Sequence, residues 1–212
     1  MYKDLSVVLE WAVENGVEIS TAQEEQLLTH KNMVLETNKN INLTAITDAK
    51  DFDIKHIIDS LTLLPFIEED VTLADIGTGA GFPGIALAIM RPDISVTLID
   101  SLQKRVRFLE DVVQALGLHN VECKHARAEE LKNTAFDITT ARAVASLDKL
   151  AKWILPITCG KFLAMKGSDV TDEIDKAKPA IKKYGGQLDD IYSVCFFGLE
   201  RNIVSITLEN AP

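Results

Sequence analysis

Four glycines, at positions 77, 79, 81 and 84, fall within eight residues in the stretch Thr72 to Gly84, TLADIGTGAGFPG. An apolar run ends in Asp75 just before them, and a helical pattern follows. Glycine accepts positive φ and lets the main chain approach a ligand where a Cβ would clash. The helix after such a turn points free N–H groups and its positive dipole end at whatever the turn holds. A second apolar run, Ser95 to Ile99, ends in Asp100. That is about 20 residues on, where α/β nucleotide folds place the carboxylate that accepts from ribose hydroxyls. A tight turn between strand and helix needs only one or two glycines, so four of them with this acid point to a nucleoside-type cofactor. Gly79, Gly81 and Gly84 also spell G-x-G-x-x-G, which leaves a nicotinamide dinucleotide, and hence a dehydrogenase, as an alternative. Against that alternative, Gly77 and Asp75 extend the block upstream, Pro83 interrupts the tight helix approach, and no substrate domain is expected after it.

The elements that must hold these residues follow from periodicity. Leu5 to Asn15 has apolar residues at 5, 8, 9, 12 and 13, a helical stripe closed by Gly16. Ser20 with Gln23 resembles a capping box, opening a charged helix that the asparagines of 38–42 interrupt. A further helix is expected over Asp53 to Leu64, ended by Pro65. Residues 1–66 therefore read as a helical cap packed on a main domain, 67–212. In that domain strands and helices alternate: strands at Val71 to Ile76, Ser95 to Ile99, Val121 to His125, Phe136 to Ala141 and Lys161 to Met165. A helix begins at Pro83, Ser101 caps one that Gly117 stops, and Leu147 to Leu155 and Asp169 to Tyr184 supply two more. Leu188 to Phe197 and Ile203 to Leu208, joined by the short Gly198 to Asn202, have no helix between them and must pair antiparallel. The expected class is α/β: a seven-stranded, mostly parallel sheet with a closing antiparallel hairpin.

Composition narrows the class. With 212 residues and 47% hydrophobic content, the chain suits a folded α/β domain with an appendage. No apolar run approaches the ~20 residues of a membrane span, and the start lacks the pattern of a signal peptide. Cys123, Cys159 and Cys195 are odd in number and sit mostly in apolar runs, so reduced, buried thiols and a cytoplasmic location are expected, with the Asn42-Leu43-Thr44 sequon unmodified. The four histidines show no ligand spacing, and no metal is expected. The net charge of −10 is uneven: residues 1–70 hold 5 lysines, no arginine and 14 acids, while the remainder is nearly balanced and carries every arginine. A local basic face attracts phosphate whatever the bulk charge, so nucleic acid is not excluded.

This element order, with its glycine turn and its acid after strand two, resembles the seven-stranded S-adenosylmethionine (SAM)-dependent methyltransferases. Six blocks are similar to one family within them, the glucose-inhibited division protein B family: NINLTAI at 40–46, HIIDSL at 56–61, DIGTGAGFPG at 75–84, LIDSLQKRVRFL at 98–109, ARAVASL at 141–147 and MKG at 165–167. They run over nearly the whole chain in family order. The family usually has a basic or aromatic residue before its Asn-Leu-Thr block, where Asn40 and Ile41 stand here; Gly198 and Arg201 match its hairpin turn loosely.

The resemblance implies methyl transfer from SAM to N7 of a guanine in small-subunit ribosomal RNA, either as naked RNA or in the assembled subunit. It implies that Gly77, Thr78, Gly79 and Gly81 wrap the cofactor's methionine and ribose, that Phe82 lies against it, and that Asp100 accepts from the ribose. Ala128 and Glu129 match the family's adenine contact, although Glu129 alone is an ordinary first-turn acid. Arg142 would hold the cofactor or the incoming nucleotide, or else form a structural ion pair. His56 and Asp59, three apart on one helix face, either serve the pocket or pair with each other. Lys104, Arg105, Arg107, Lys166 and Arg201 are the candidate RNA contacts. No catalytic base is expected, because the N7 lone pair is already free. A non-catalytic ribosome-assembly protein on the same fold is the remaining alternative.

Overall fold

The computed structural model describes residues 4–131 and 134–208. Seven strands form one sheet, β1 (Thr72–Ile76), β2 (Ser95–Asp100), β3 (Val121–His125), β4 (Phe136–Arg142), β5 (Thr158–Lys166), β6 (Gly186–Phe196) and β7 (Leu199–Leu208). Their spatial order is β3-β2-β1-β4-β5-β7-β6. The first five are parallel, and β7 inserts antiparallel between β5 and β6. Strand order reverses between β1 and β4, and open α/β sheets bind ligands outside the carboxyl ends of the strands at such a point.

The helices cover both faces. α1 (Ser6–Glu14), α2 (Thr21–Thr37), α5 (Gly84–Met90) and α6 (Gln103–Leu116) share one apolar core, to which Val8, Leu27, Val34, Ile85 and Leu109 contribute. α7 (Leu147–Ile154) and α8 (Thr171–Lys183) pack with Ala74, Phe162 and Val204 on the other face. The N-terminal helices are tied to the sheet layer by hydrogen bonds as well: Gln23 Nε2 donates to the Ile89 carbonyl at 3.2 Å and Gln26 Nε2 to that of Leu116 at 2.8 Å. The Ser20–Gln23 capping box is formed in both directions.

Several local expectations need correction. The helix expected from Asp53 begins earlier, as α3 (Ala49–Phe52), because Asp48 caps it by accepting from the Lys50 and Asp51 N–H groups. It continues through a π-helical segment, Asp53–Ile58, into α4 (Asp59–Leu61), and Pro65 lies beyond it in a 3-10 turn, Leu64–Phe66. Pro83 is the N-cap of α5, not its first helical residue. Ser101 does not cap α6; Leu102 holds that position, and its N–H is taken by the buried Asp100 carboxylate at 2.9 Å. The hairpin turn is only Phe197 and Gly198, at φ 49 and 73, and β7 begins at Leu199, so Arg201 is a strand residue. The cysteines are free, but Cys195 is exposed and Cys123 and Cys159 are only half-buried.

A buried ion pair holds α2 against the π segment: Lys31 Nζ lies 2.6 Å from Asp53 Oδ1, with side chains 2% and 7% exposed. Burial pushes the Asp53 carboxyl up and Lys31 pulls it back. Removing one partner of such a pair strands a charge, whereas replacing both by apolar residues is often neutral. Lys31→Met should therefore lower unfolding free energy by about 3–5 kcal/mol. Adding Asp53→Leu should restore most of it, as urea unfolding of the two variants would show.

Candidate active site

A cavity of about 700 Å³ opens above the carboxyl ends of β1, β4 and β5. Its wall includes Gly77, Thr78, Gly79 and Ala80 after β1, Arg142 to Ser146 after β4, and Met165 to Gly167 at the end of β5. Arg201 reaches the same edge because β7 runs antiparallel, and Lys55, His56 and Asp59 close it from the N-terminal helices.

The glycine turn is built around two buried carboxylates. Asp75, fully buried at the end of β1, accepts from the Gly84 N–H at 2.8 Å and so fixes the start of α5. A Cβ on Gly84 would lie 2.3 Å from Leu98 Cδ2 and 2.9 Å from the Asp75 carboxylate, so close helix–sheet packing demands glycine there. Burial raises the Asp75 carboxyl to about 6, opposed by the Thr78 hydroxyl and the Gly84 N–H. Asp100 accepts from the Gly79 N–H at 3.1 Å through Oδ2 and from Leu102 through Oδ1. Gly79 has φ +60, and a Cβ there would meet nothing closer than 3.9 Å, so the turn leaves open space on its ligand side. That space, with the buried carboxylate at its rim, fits a nucleoside cofactor. Gly81 faces inward instead: a Cβ would lie 2.7 Å from Ile85 and 3.1 Å from His30.

Arg142 is held by the π segment. Its Nη1 donates to the Lys55 carbonyl and to Asp59 Oδ2, both at 2.9 Å, and Nη2 donates to His56 Nδ1 at 2.9 Å. Winding the helix as π carries the Asp59 N–H to the Ile54 carbonyl, five residues back. Since arginine can only donate, His56 Nδ1 is the acceptor, and Nε2–H donates to Thr44 Oγ1 at 2.8 Å. His56 stacks on Phe82 at 4.9 Å, and His30 stacks on Phe82 at 4.5 Å. His30 Nε2 must likewise carry hydrogen, because its partner is the Ala80 carbonyl at 2.8 Å. Both histidines are neutral. Burial lowers His30 to about 4, and burial followed by the Arg142 charge lowers His56 to about 3.

Of the residues singled out in the sequence, Gly77, Thr78, Gly79, Phe82, Arg142, His56, Asp59, Arg105, Lys166 and Arg201 meet at this cavity. His56 and Asp59 do not pair with each other; both serve Arg142. Arg105 Nη1 lies 3.3 Å from Asp100 Oδ2, and Lys166 is tied to the Ala145 carbonyl and to Glu173 at 2.7 Å. Gly81, Asp100, Ala128, Glu129, Lys104 and Arg107 are outside the cavity wall. Ala128 is buried in the second core, while Glu129, Lys104 and Arg107 are exposed. Sequence reasoning gave no role to Asp75, His30, Lys55 or Glu173. The apolar run into Asp75 was a usable signal; the others had none, since their partners are remote in sequence.

This architecture, with its closing hairpin and a glycine turn over the first strand, defines a class I SAM-dependent methyltransferase fold. Solved structures that share it include a SAM-dependent methyltransferase from Aquifex aeolicus, with TM-score 0.59 and 17% identity over 82% of this chain and 98% of that one. Magnesium protoporphyrin IX methyltransferase from Synechocystis PCC 6803 gives TM-score 0.58 and 10% identity over 85% and 97%. At these identities the likeness is one of fold. The rRNA small subunit methyltransferase G (GidB) family matches residues 23–204. The relative of that name from Acetivibrio thermocellus is 39% identical, covering 94% of this chain and 86% of its own length. One from Clostridium botulinum (strain Alaska E43 / Type E3) is 47% identical, covering 86% and 80%. The chain belongs to this family, as its six sequence blocks led us to expect. Membership makes it a methyltransferase and sets aside the dehydrogenase and non-catalytic alternatives.

The histidines and Asp75 set a pH dependence with opposed signs. His30 and His56 are held below their ordinary value of 6.5. Their contribution to stability is complete above that pH and is lost as pH falls toward their folded values. Asp75 is raised from 3.8 to about 6, so its contribution is present below 3.8 and lost as pH rises through 6. Two histidines outweigh one carboxyl, and unfolding free energy should fall by roughly 1 kcal/mol per pH unit between pH 6 and 5. Urea midpoints across that range check this; a flat or rising profile would contradict the neutral, buried histidines.

Proposed function

We propose that this chain transfers a methyl group from SAM to N7 of a guanine in small-subunit ribosomal RNA. The observation that carries the reading is the buried Asp100 carboxylate, bonded to the Gly79 N–H beside an open glycine turn, in a member of this family. Bound in this turn, SAM would supply an electrophilic methyl group to the N7 lone pair, with a neutral thioether as the leaving group.

The chain's own residues bind and align. Gly77, Thr78 and Gly79 line the cofactor's place, Phe82 backs it, and Asp100 accepts from the ribose hydroxyls. Arg105, which shares Asp100 only at 3.3 Å, is the group those hydroxyls displace. Ala128 and Glu129, at the 3-10 turn after β3, are assigned to the adenine. Arg142 is a positioning group whose charge faces the incoming nucleotide. No side chain has to remove a proton, and the two neutral histidines fit that demand: each spends its only N–H on a fixed acceptor. Rate enhancement then rests on orientation, worth about 7 kcal/mol or more.

Lys104, Arg105, Arg107, Lys166 and Arg201 are assigned to RNA, with Lys104 and Arg107 on the exposed side of α6. Residues 1–66 act as a cap that completes the cavity wall through His56 and Asp59. Three free thiols and a ribosomal substrate favour the cytoplasm. No described helix is long and apolar enough to cross a membrane.

Asp100→Ala should weaken SAM binding by roughly 30- to 100-fold, about 2–3 kcal/mol for two hydrogen bonds to a charged acceptor. Calorimetric titration measures this, and labelled methyl incorporation into small subunits measures turnover; unchanged affinity would remove the assignment. Lys104→Ala with Arg107→Ala should slow methylation at low RNA concentration while leaving SAM affinity intact. Equal loss of both would show that these side chains serve the fold instead.

A further inference from the structure

At one end the cavity wall holds Gly79 and Arg105, which cover Asp100. The cavity extends from the glycine turn across β4 and β5 to β7, beyond the groups assigned to the ribose. Two carboxylates line that part, Asp59 and Glu173. Glu173 is committed: its Oε2 takes the Leu147 N–H at 2.9 Å and Lys166 at 2.7 Å. Asp59 is committed on one side only. Oδ2 accepts from Arg142, while Oδ1, in a side chain 3% exposed, has no hydrogen bond and only a loose neighbour, Arg201 Nε at 3.4 Å.

A buried acceptor without a donor costs free energy unless a ligand completes it. The donor can be named by chemistry, taking the methyltransferase reading above as given. N7 is present on adenine and guanine alike, so the reacting atom cannot tell them apart. The Watson–Crick edge can: guanine offers N1–H and N2–H, two parallel donors suited to a carboxylate, and adenine presents a lone pair at N1. We infer that Asp59 selects guanine, its Oδ1 side accepting from the N1–H and N2–H edge of the base held in this cavity.

The same bond favours reaction. As N7 gains the methyl the base becomes cationic and N1–H more acidic, so a carboxylate on that edge binds the transition state better than the ground state. Arg201, displaced from Oδ1 by the base and 29% exposed, is then free to meet the nucleotide's phosphate. Arg142 stays in place and keeps Oδ2 fixed.

The test uses mononucleotides as probes, by NMR titration of the intact protein with S-adenosylhomocysteine present. Wild type should bind 5′-GMP about tenfold more tightly than 5′-IMP, which lacks the 2-amino group, and more tightly again than 5′-AMP. In Asp59→Asn the preference for GMP over AMP should fall below about twofold while AMP binding is unchanged. Equal affinities in wild type, or no GMP binding at millimolar concentration, would overturn the inference even if the variant fails to fold. So would full GMP preference in Asp59→Asn. If wild type binds SAM and methylates subunits yet ignores the base, only the Asp59 assignment fails; if it does neither, the methyltransferase reading fails with it.

Discussion

Arg142 stands at the carboxyl end of a central strand with 14% of its side chain exposed. A guanidinium there cannot be left without partners, because the cost of an unpaired buried charge far exceeds what packing returns. All three of its hydrogen bonds go to residues 55, 56 and 59, some 83 to 87 positions earlier in the chain. This one side chain therefore obliges the N-terminal helices to dock over the sheet edge, and the dock sets the shape of the cavity.

The docking helices meet the glycine turn from below as well. His30 holds the Ala80 carbonyl and stacks on Phe82, and His56 stacks on the same ring. The pile His30–Phe82–His56 joins α2, the turn after β1 and the π segment into one rigid unit. Each histidine is fixed as a single tautomer, His30 by the Ala80 carbonyl and His56 by Arg142; protonation would charge either buried ring and, at His56, would break the bond from Arg142. Rigidity of this kind suits a reaction whose rate depends on aligning a lone pair with a methyl and needs no proton moved. It also explains why Gly81 is glycine: a side chain there would push into His30 and Ile85 and part the pile.

What was legible in the sequence was local. Glycine spacing, the apolar runs into Asp75 and Asp100, and the absence of a helix before the last strand each depend on neighbours within one element or the next. They were enough for the fold class and for the antiparallel pairing of the last two strands. The Arg142 cluster was not legible, since π winding leaves no periodic trace and its partners lie more than 80 residues away. Ser101 misled because the helix starts one residue later: Leu102 holds the N-cap position, and the buried Asp100 carboxylate takes its N–H. Lys166, at the end of β5, is tied to Glu173 of α8 and to the Ala145 carbonyl after β4, a pairing of remote elements that no local pattern encodes.

The uneven charge of the chain follows from the same docking. Residues 1–70 are strongly acidic and the rest holds every arginine. Asp59 answers Arg142 and Arg201, Glu68 answers Lys161, and the Ile67 and Glu68 carbonyls accept from Arg91. The acidic segment thus meets basic side chains at both ends of the sheet, Arg142 and Arg201 at the carboxyl ends of the parallel strands and Arg91 and Lys161 toward their amino ends, and many of its other acids are exposed. A polyanion arriving at those exposed acids is repelled, and the exposed cations of α6 together with the cavity rim are what remain to attract it. Bulk acidity here works as steering: it leaves one approach to the site, the one on which Arg105 and Arg201 each cover a buried carboxylate with a long, replaceable contact.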